Sequence, residues 1–404
     1  MKRICIVRMN YYPDEPHLRR DAETLASAGY AVDVMCLKRK GQKSREVIDG
    51  VNLYRLALDH QRSGGIRYIY EYLSFFVQAL ALLTLLSFTR RYAAVQVINL
   101  PDFLVFTAVV PKMLGAKVAL NFFELMPEVF ADKFDLKLTH PVVKTLLAVE
   151  KLSAVFADKV IAANGVLQRA RLAKNGIRAA KIASILNVPD DAVFYPRTRA
   201  GNQHGYKIVT HGSILERYGL QYLIKAVAMA AKNVPGIKLI IIGEGEYRPQ
   251  LEQLAVSLGV TNIVQFKGRL PLDEMLDLIA GADVGAVSLV PQNQPQMPCK
   301  LFEYLAMGKP VVCASLPAVL PYFSEDSVTY YAPEDFKELS RCLIELYHNP
   351  VKRSCLASTG NANYQKYSWA MQKPQFLEIF EQMLHNRKNW QQVKAAEPGT
   401  TGGE

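Results

Sequence analysis

Lys300 and Glu303 stand three residues apart in the run MPCKLFEYLAMGKPVV, residues 297–312. In a helix they share one face. Pro298 suits a first helical turn, where its missing N–H costs nothing, and Gly308 and Pro310 end the helix and start a strand. The free amides and positive dipole end of such a helix favour phosphate, and Lys300 adds a full charge. One turn on, Glu303 can accept hydrogen bonds from two adjacent hydroxyls, as a ribose presents them. A cation and a carboxylate so spaced fit a nucleoside diphosphate. The competing reading is a solvated surface pair, which helices have in abundance.

Two further stretches bear on that choice. In THGSILERYGL (210–220), Gly212 lets backbone approach a ligand and Arg217 offers a forked donor. An ordinary strand-to-helix turn with a surface arginine explains it equally well. In IIGEGE (241–246), Gly243 and Gly245 make a tight turn. A dinucleotide fingerprint needs G-x-G-x-x-G at the first strand–helix turn, so a plain turn is at least as good a reading here. There is no D-x-D motif and no His/Cys cluster, so no metal is expected.

These residues need elements to hold them. Short apolar runs alternate with helical ones, the pattern of a parallel α/β sheet. Residues 4–9, AVDVMCL, 94–100, 116–124 and 158–164 read as strands of a first half. Residues 206–212, 238–246, 262–268, 283–290 and 310–315 read as strands of a second. HLRRDAETLASAGY reads as the first helix, stopped by Gly29. Ligands of open parallel sheets bind beyond the carboxyl ends of strands, and the candidates above follow strands. A chain of 404 residues exceeds one ordinary core. The stretch 187–205, rich in Pro, Gly, Asn and charge, has linker chemistry. The expected division is a first Rossmann-like domain over 1–195, a second over 196–366, a final helix over 367–390 and a disordered tail over 391–404.

PCKLFEYLAMGKPVV resembles the signature of retaining glycosyltransferases of family 4, which have the GT-B fold. HGSILERYGLQYLIKAV resembles that family's first donor-domain loop, and residues 239–291 resemble the segment that follows. FFELMPEVF and EKLSAVFADKVIAAN resemble bacterial members in the first half. YSWAMQKPQFLEIFEQML resembles the final helix that crosses back to the N-terminal domain. The resemblance implies two Rossmann-like parallel-sheet domains facing across a cleft, the first for the acceptor and the second for the donor. It implies that Arg217 and Lys300 bind the diphosphate and stabilise charge on it, and that Glu303 takes the ribose. Gly212, Ser213 and Gly243 would line the donor, and the stretch from Phe266 to Arg269 would meet the base. Leu301 and Phe302 would present helix N–H groups to the phosphates.

The chain departs from the family at named positions. Pro295 stands where members often carry an acid. The loop PQNQPQMP offers amides instead, making Asn293 and its neighbouring glutamines the candidates for the donor sugar. Members often have Arg at position 213 and Lys at 218; here Ser213 and Tyr218 leave Arg217 as the only cation of that loop. In the D-x-H-E pattern Phe123 replaces the histidine, while Glu124 remains as a catalytic candidate. The implied reaction moves a hexose from a UDP- or GDP-sugar to a lipid-linked or saccharide acceptor, in polysaccharide or glycoconjugate biosynthesis, without metal or other cofactor. A nucleotide-sugar 2-epimerase of the same fold and a non-catalytic nucleotide-sugar-binding protein are the alternatives. The amide-rich loop argues against the first, and Pro295 keeps the second open.

The run from residue 67 to 92 has no charge from Leu73 to Thr89, and Arg90 and Arg91 close it. At 1.5 Å per residue the seventeen uncharged residues span about 25 Å, short of a ~30 Å hydrocarbon core. It reads as an interfacial helix on an anionic membrane, with Phe75, Phe76 and Leu80 toward lipid, or as a helix buried on the sheet. The net charge of +11 favours the first. That charge also suits phosphorylated ligands, but no run of Lys and Arg interleaved with aromatics suggests nucleic acid. The six cysteines form no C-x-x-C pair, and MKRICIVRMN reads as a strand and not a signal peptide. A cytoplasmic protein is expected, peripheral at the cytoplasmic face of the membrane where the interfacial reading of residues 67–92 holds.

Overall fold

The computed structural model describes residues 1–58, 65–197, 205–293, 295 and 297–384, and only the backbone of 65, 66 and 68. The tail over 391–404 lies outside the described residues. The chain divides into two compact units, one of residues 1–187 with those from Gln372 onward, the other of residues 188–371.

The first unit is built on eight strands: β1 (Arg3–Tyr11), β2 (Ala31–Leu37), β3 (Arg45–Ile48), β4 (Val51–Leu56), β5 (Ala94–Ile98), β6 (Lys117–Phe122), β7 (Lys159–Ala162) and β8 (Ile182–Ser184). Their order is β3-β4-β2-β1-β5-β6-β7-β8, parallel throughout except for the antiparallel pair β3–β4. Central strands read as unbroken apolar runs because helices cover both faces; Ile4, Cys5, Ile6 and Val7 are all fully buried. β3 and β4 form a hairpin whose turn, Asp49-Gly50, has φ of 50° and 78° at its two residues. The first helix, Pro16–Ser27, starts where the Glu15 carboxylate accepts the Leu18 N–H (3.1 Å), and Gly29 follows it at φ 86°.

The second unit carries β9 (Tyr206–His211), β10 (Ile237–Ile242), β11 (Val264–Gly268), β12 (Val284–Val287), β13 (Val311–Ala314) and β14 (Thr329–Tyr331). They form one parallel sheet in the order β11-β10-β9-β12-β13-β14. Several strands end earlier than the sequence suggested, because Gly212, Gly243 and the residues after Val287 turn away as loops.

The division falls after Asn187, and not near 195. Residues 188–197 are held by the second unit: the Asp191 carboxylate accepts from the Tyr364 hydroxyl (2.7 Å) and from the Ala370 N–H (2.8 Å). The last helix, Trp369–Leu384, contributes to the first unit from Gln372, whose Oε1 accepts the Leu186 N–H (3.2 Å). Phe376 and Phe380 pack there edge to face, 5.2 Å apart.

The helix Gly65–Arg90 lies on the first sheet. Every fourth residue from Glu71 through Phe75, Ala79 and Leu83 to Ser87 is buried. This corrects the expected orientation. Phe75 is a fully buried core residue, and the outward residues are Leu73, Val77, Leu85 and Phe88.

Candidate functional site

In the second unit the candidate loops all begin at carboxyl ends of strands. β9 passes from His211 to Gly212 (φ 120°), β10 to Gly243 (φ 135°), β11 from Gly268 to the exposed Arg269, and β12 into the loop that leads to the helix Cys299–Ala306. These loops pack backbone on backbone. A Cβ at Gly243 would lie 1.9 Å from the Gly212 carbonyl oxygen, and one at Gly219 would lie 1.7 Å from that of Ser288. No side chain fits such approaches. Gly243 therefore shapes its turn, the plainer of its two readings.

Arg217 sits in the 3-10 turn Glu216–Tyr218. Its carbonyl accepts from the Val290 N–H (3.3 Å) and from Gln292 Nε2 (3.2 Å), while Ser288 Oγ donates to the Tyr218 carbonyl (3.0 Å). The loop bearing Asn293 and Pro295 is thereby stitched to the loop after β9, where Ser213 stands half-exposed. Gln294 and Gln296, also expected near a sugar, lie outside the described residues. Two cations share the Tyr218 ring: the Arg217 guanidinium is 5.5 Å and Lys300 Nζ 5.6 Å from its centre. Lys300 Nζ would also lie 3.8 Å from a Cβ placed on Gly212, so the missing side chain leaves room beside the ammonium. Burial pushes the Lys300 pKa down to about 8, against the pull of the Glu303 carboxylate.

The helix Cys299–Ala306 has eight residues, and Pro298 gives it no side-chain cap. The Leu301 N–H donates to the Pro298 carbonyl (3.0 Å) and is closed to a phosphate, contrary to expectation. The side chains of Leu301 and Phe302 are fully buried, with Phe302 against Phe323 at 5.7 Å, and they anchor the helix.

Glu303 is 9% exposed, and its Oε2 meets His211 Nε2 at 2.5 Å. The other ring nitrogen, Nδ1, meets the Tyr304 hydroxyl at 2.8 Å. With Glu303 ionised, Nε2–H donates to it and Nδ1 accepts from the phenol, whose own ionisation burial makes harder. Tyr304 fits because β12 has glycine at 285, where a Cβ would come within 2.4 Å of the ring. The carboxylate is thus aimed by a His–Tyr pair. In the sequence His211 is only the end of a strand, and a histidine closing a strand just before a glycine is the available signal.

In the first unit Glu124 follows β6. Asn99, which follows β5, clasps that turn. Its Oδ1 accepts from the Phe123 N–H (2.8 Å), and its Nδ2 donates to the Glu124 carbonyl (2.6 Å) and to Asp102 Oδ1 (2.8 Å). Burial raises the Asp102 pKa to about 8, with Glu150 adding to the rise and the Asn99 bond opposing it. The Glu124 side chain is half-exposed and has no hydrogen-bond partner among the described residues. Phe123 packs its ring against His17 (5.7 Å), with the Arg8 guanidinium 5.0 Å away. A histidine from the first helix therefore stands beside the position where the pattern lacks one.

Residues 15–187 match the model of a "glycosyl transferase 4-like domain", and residues 205–349 match that of "glycosyl transferases group 1". Over 179 residues the chain is 26% identical to a GDP-mannose-dependent phosphatidylinositol monomannoside mannosyltransferase of Corynebacterium glutamicum, covering 43% of this chain and 46% of the relative. It is 34% identical over 105 residues to the lipopolysaccharide core biosynthesis glycosyltransferase LpsE of Rhizobium meliloti, covering 26% and 28%. The chain spans about half, or less, of the length of the curated relatives it matches first. Solved structures match it nearly end to end. Sucrose-phosphate synthase of Thermosynechococcus elongatus superposes with a TM-score of 0.76 at 18% identity, over 98% of this chain and all of the other. Anabaena HepE in complex with UDP-glucose gives 0.73 at 17%, over 94% and 100%. At these identities the likeness is one of fold, the two parallel-sheet α/β domains of the GT-B architecture.

Proposed function

Because this chain belongs to the group 1, family 4-like glycosyltransferases, we propose that it transfers a hexose from a nucleoside diphosphate sugar to a lipid-linked or saccharide acceptor, with retention at the anomeric carbon. The observation that carries the reading is the pairing of two devices at the strand ends of the second unit. One is the pair of cations, Arg217 and Lys300, over the Tyr218 ring. The other is Glu303, one helical turn from Lys300 and aimed by His211. The cations take the diphosphate, and Glu303 takes the ribose hydroxyls through Oε1, its Oε2 being held. Gly212 gives the phosphates room, Arg269 and Phe266 lie toward the base, and Asn293 toward the sugar.

Charge grows on the leaving diphosphate as the glycosidic bond breaks, so Arg217 and Lys300 favour the transition state over the ground state. The acceptor hydroxyl attacks from the same face and passes its proton toward the departing phosphate. Glu124 is assigned to the acceptor side. The two cations supply the countercharge, so no metal is needed. Six cysteines, none of them in a disulfide, fit a reducing cytoplasm.

Release of nucleoside diphosphate across a panel of UDP- and GDP-sugars tests the reading. One donor should be turned over, and EDTA should leave the rate unchanged. Failure to bind any nucleoside diphosphate by calorimetry overturns the nucleotide site. Complete loss with EDTA, reversed by manganese, overturns metal independence.

A further inference from the structure

One face of the first unit is covered by three neighbouring helical segments: Gly65–Arg90, the pair Asp102–Ala108 and Val109–Met113, and Pro141–Phe156. They pack side by side over one core. Phe76 meets Phe103 at 5.6 Å, and Phe106 meets Phe156 at 5.2 Å. Their outward sides are apolar. On the first helix Ile69, Tyr70, Leu73, Val77, Leu85 and Phe88 are each between 49% and 68% exposed. Met113 and Leu114 continue the surface on the second segment, and Leu152 and Val155 on the third, all more than half exposed. Scattered surface leucines are ordinary; a stripe running the length of a helix and continued on two neighbours is not.

The charges on these segments are one-sided. The first contributes Arg67, Arg90 and Arg91, the second Lys112 with Lys117 after it, and the third Lys144 and Lys151 with Lys159 after it. The same stretches hold four acids. Glu71, Asp102 and Glu150 are buried. Asp158 is tied to Lys112 Nζ at 2.8 Å. Arg67 pairs with Glu71 at 3.0 Å and Arg90 reaches the buried Asp33 at 3.5 Å. The charges of these segments that remain, Arg91, Lys117, Lys144, Lys151 and Lys159, are all positive, and Arg91 and Lys151 adjoin the stripe in sequence near Phe88 and Leu152.

We infer that this three-helix face is a docking surface for an anionic phospholipid bilayer, which it enters to the depth of its outward side chains. The first helix is long and apolar enough to cross a membrane by length and composition alone. It does not cross, because Phe75, Ala79 and Leu83 are fully buried in the core of the unit. One side of the helix belongs to the protein, which leaves the other to the interface between headgroups and acyl chains. The cationic border selects anionic lipid over a neutral surface or a second copy of this chain, whose matching face would bring like charges together. The inference stands on surface geometry and not on the transferase reading.

The test is co-sedimentation of the full chain with vesicles of phosphatidylcholine, with or without about a third phosphatidylglycerol. Binding is expected to the anionic vesicles at low salt, and less at high salt. The combined variant Leu73→Gln, Val77→Gln, Leu85→Gln and Phe88→Gln alters outward positions only, so it should melt like wild type. It should lose at least about a hundredfold in partitioning. Arg91→Glu with Lys144→Glu and Lys151→Glu should lose at least about fivefold per site on anionic vesicles. Three outcomes overturn the inference: no wild-type binding to anionic vesicles at low salt, equal binding to neutral ones, or unchanged binding by the folded glutamine variant. A wild-type dimer that the glutamine substitutions dissociate, with no vesicle binding, assigns the face to a second copy and overturns it as well.

Discussion

Glu303→Gln isolates the proposed ribose contact. Glutamine has nearly the helix propensity of glutamate and the same shape, so the helix Cys299–Ala306 should persist. What is lost is the charge on an acceptor only 9% exposed, where solvent screens little. Hydrogen bonds to a charged group contribute about 1.5–3 kcal/mol, so donor affinity should fall roughly tenfold to hundredfold. His211→Ala leaves the charge but removes the 2.5 Å bond that aims it. A neutral-scale loss of about 0.5–1.5 kcal/mol, or roughly two- to tenfold, is expected. If His211 acts through Glu303, the double variant should bind no worse than Glu303→Gln alone, since neighbours in one network are not additive. The assay is titration calorimetry with the nucleoside diphosphate, alongside thermal melts of each ligand-free variant. Wild-type affinity in a folded Glu303→Gln protein would refute the nucleotide assignment of this helix. Additive losses would refute the positioning role of His211.

Two further outcomes follow from the same loops. Lys300 has a pKa lowered to about 8, so its ammonium is present below that pH and lost as pH rises through it. Affinity for an intact donor sugar should therefore be flat below about pH 7 and decline above about pH 8, and Lys300→Arg, charged throughout, should remove the decline; a flat wild-type profile to about pH 9.5 refutes this. Gly219→Ala would put a Cβ 1.7 Å from the Ser288 carbonyl oxygen at a φ of 67°, so it should cost at least about 1–3 kcal/mol and weaken donor binding by moving the Arg217 turn; a melting temperature within about a degree of wild type refutes it.

Most strands of both sheets could be read from the sequence because parallel strands buried on both faces are unbroken apolar runs. β3 and β4 were missed, although Asp49-Gly50 between Val47-Ile48 and Val51 is a two-residue hairpin signal. β8 and β14, three residues each, carry too little pattern to register. Within the candidate site, Lys300, Glu303 and Arg217 were legible because spacing and charge are local properties. The links from His211 to Glu303 and Tyr304 were not, since they join residues 92 and 93 positions apart. The glycines were legible only as turns. That Gly219 opposes Ser288 and Gly285 opposes Tyr304 depends on which strands lie side by side.

Lys300 becomes more informative beside another enclosed cation of the same chain. In the first unit Arg171 is clamped by the carboxylates of Glu128 and Glu150, and Asn175 closes the group by donating to Glu150 at 2.7 Å. Such a cation is satisfied by the protein itself, and a ligand would have to displace a partner to reach it. Lys300 has no hydrogen bond or ion pair among the described residues, and burial already weakens its hold on a proton. Its neighbours are a glycine that leaves space, an aromatic face and a carboxylate whose Oε2 is held by a histidine. Leaving a partly desolvated ammonium without a hydrogen-bonded counterion costs stability in the empty protein, and under the proposed function a diphosphate would relieve that cost. The difference between the two cations lies in their surroundings and not in their charge. Under the proposed function it separates a residue that holds the fold together from one held ready for an anion.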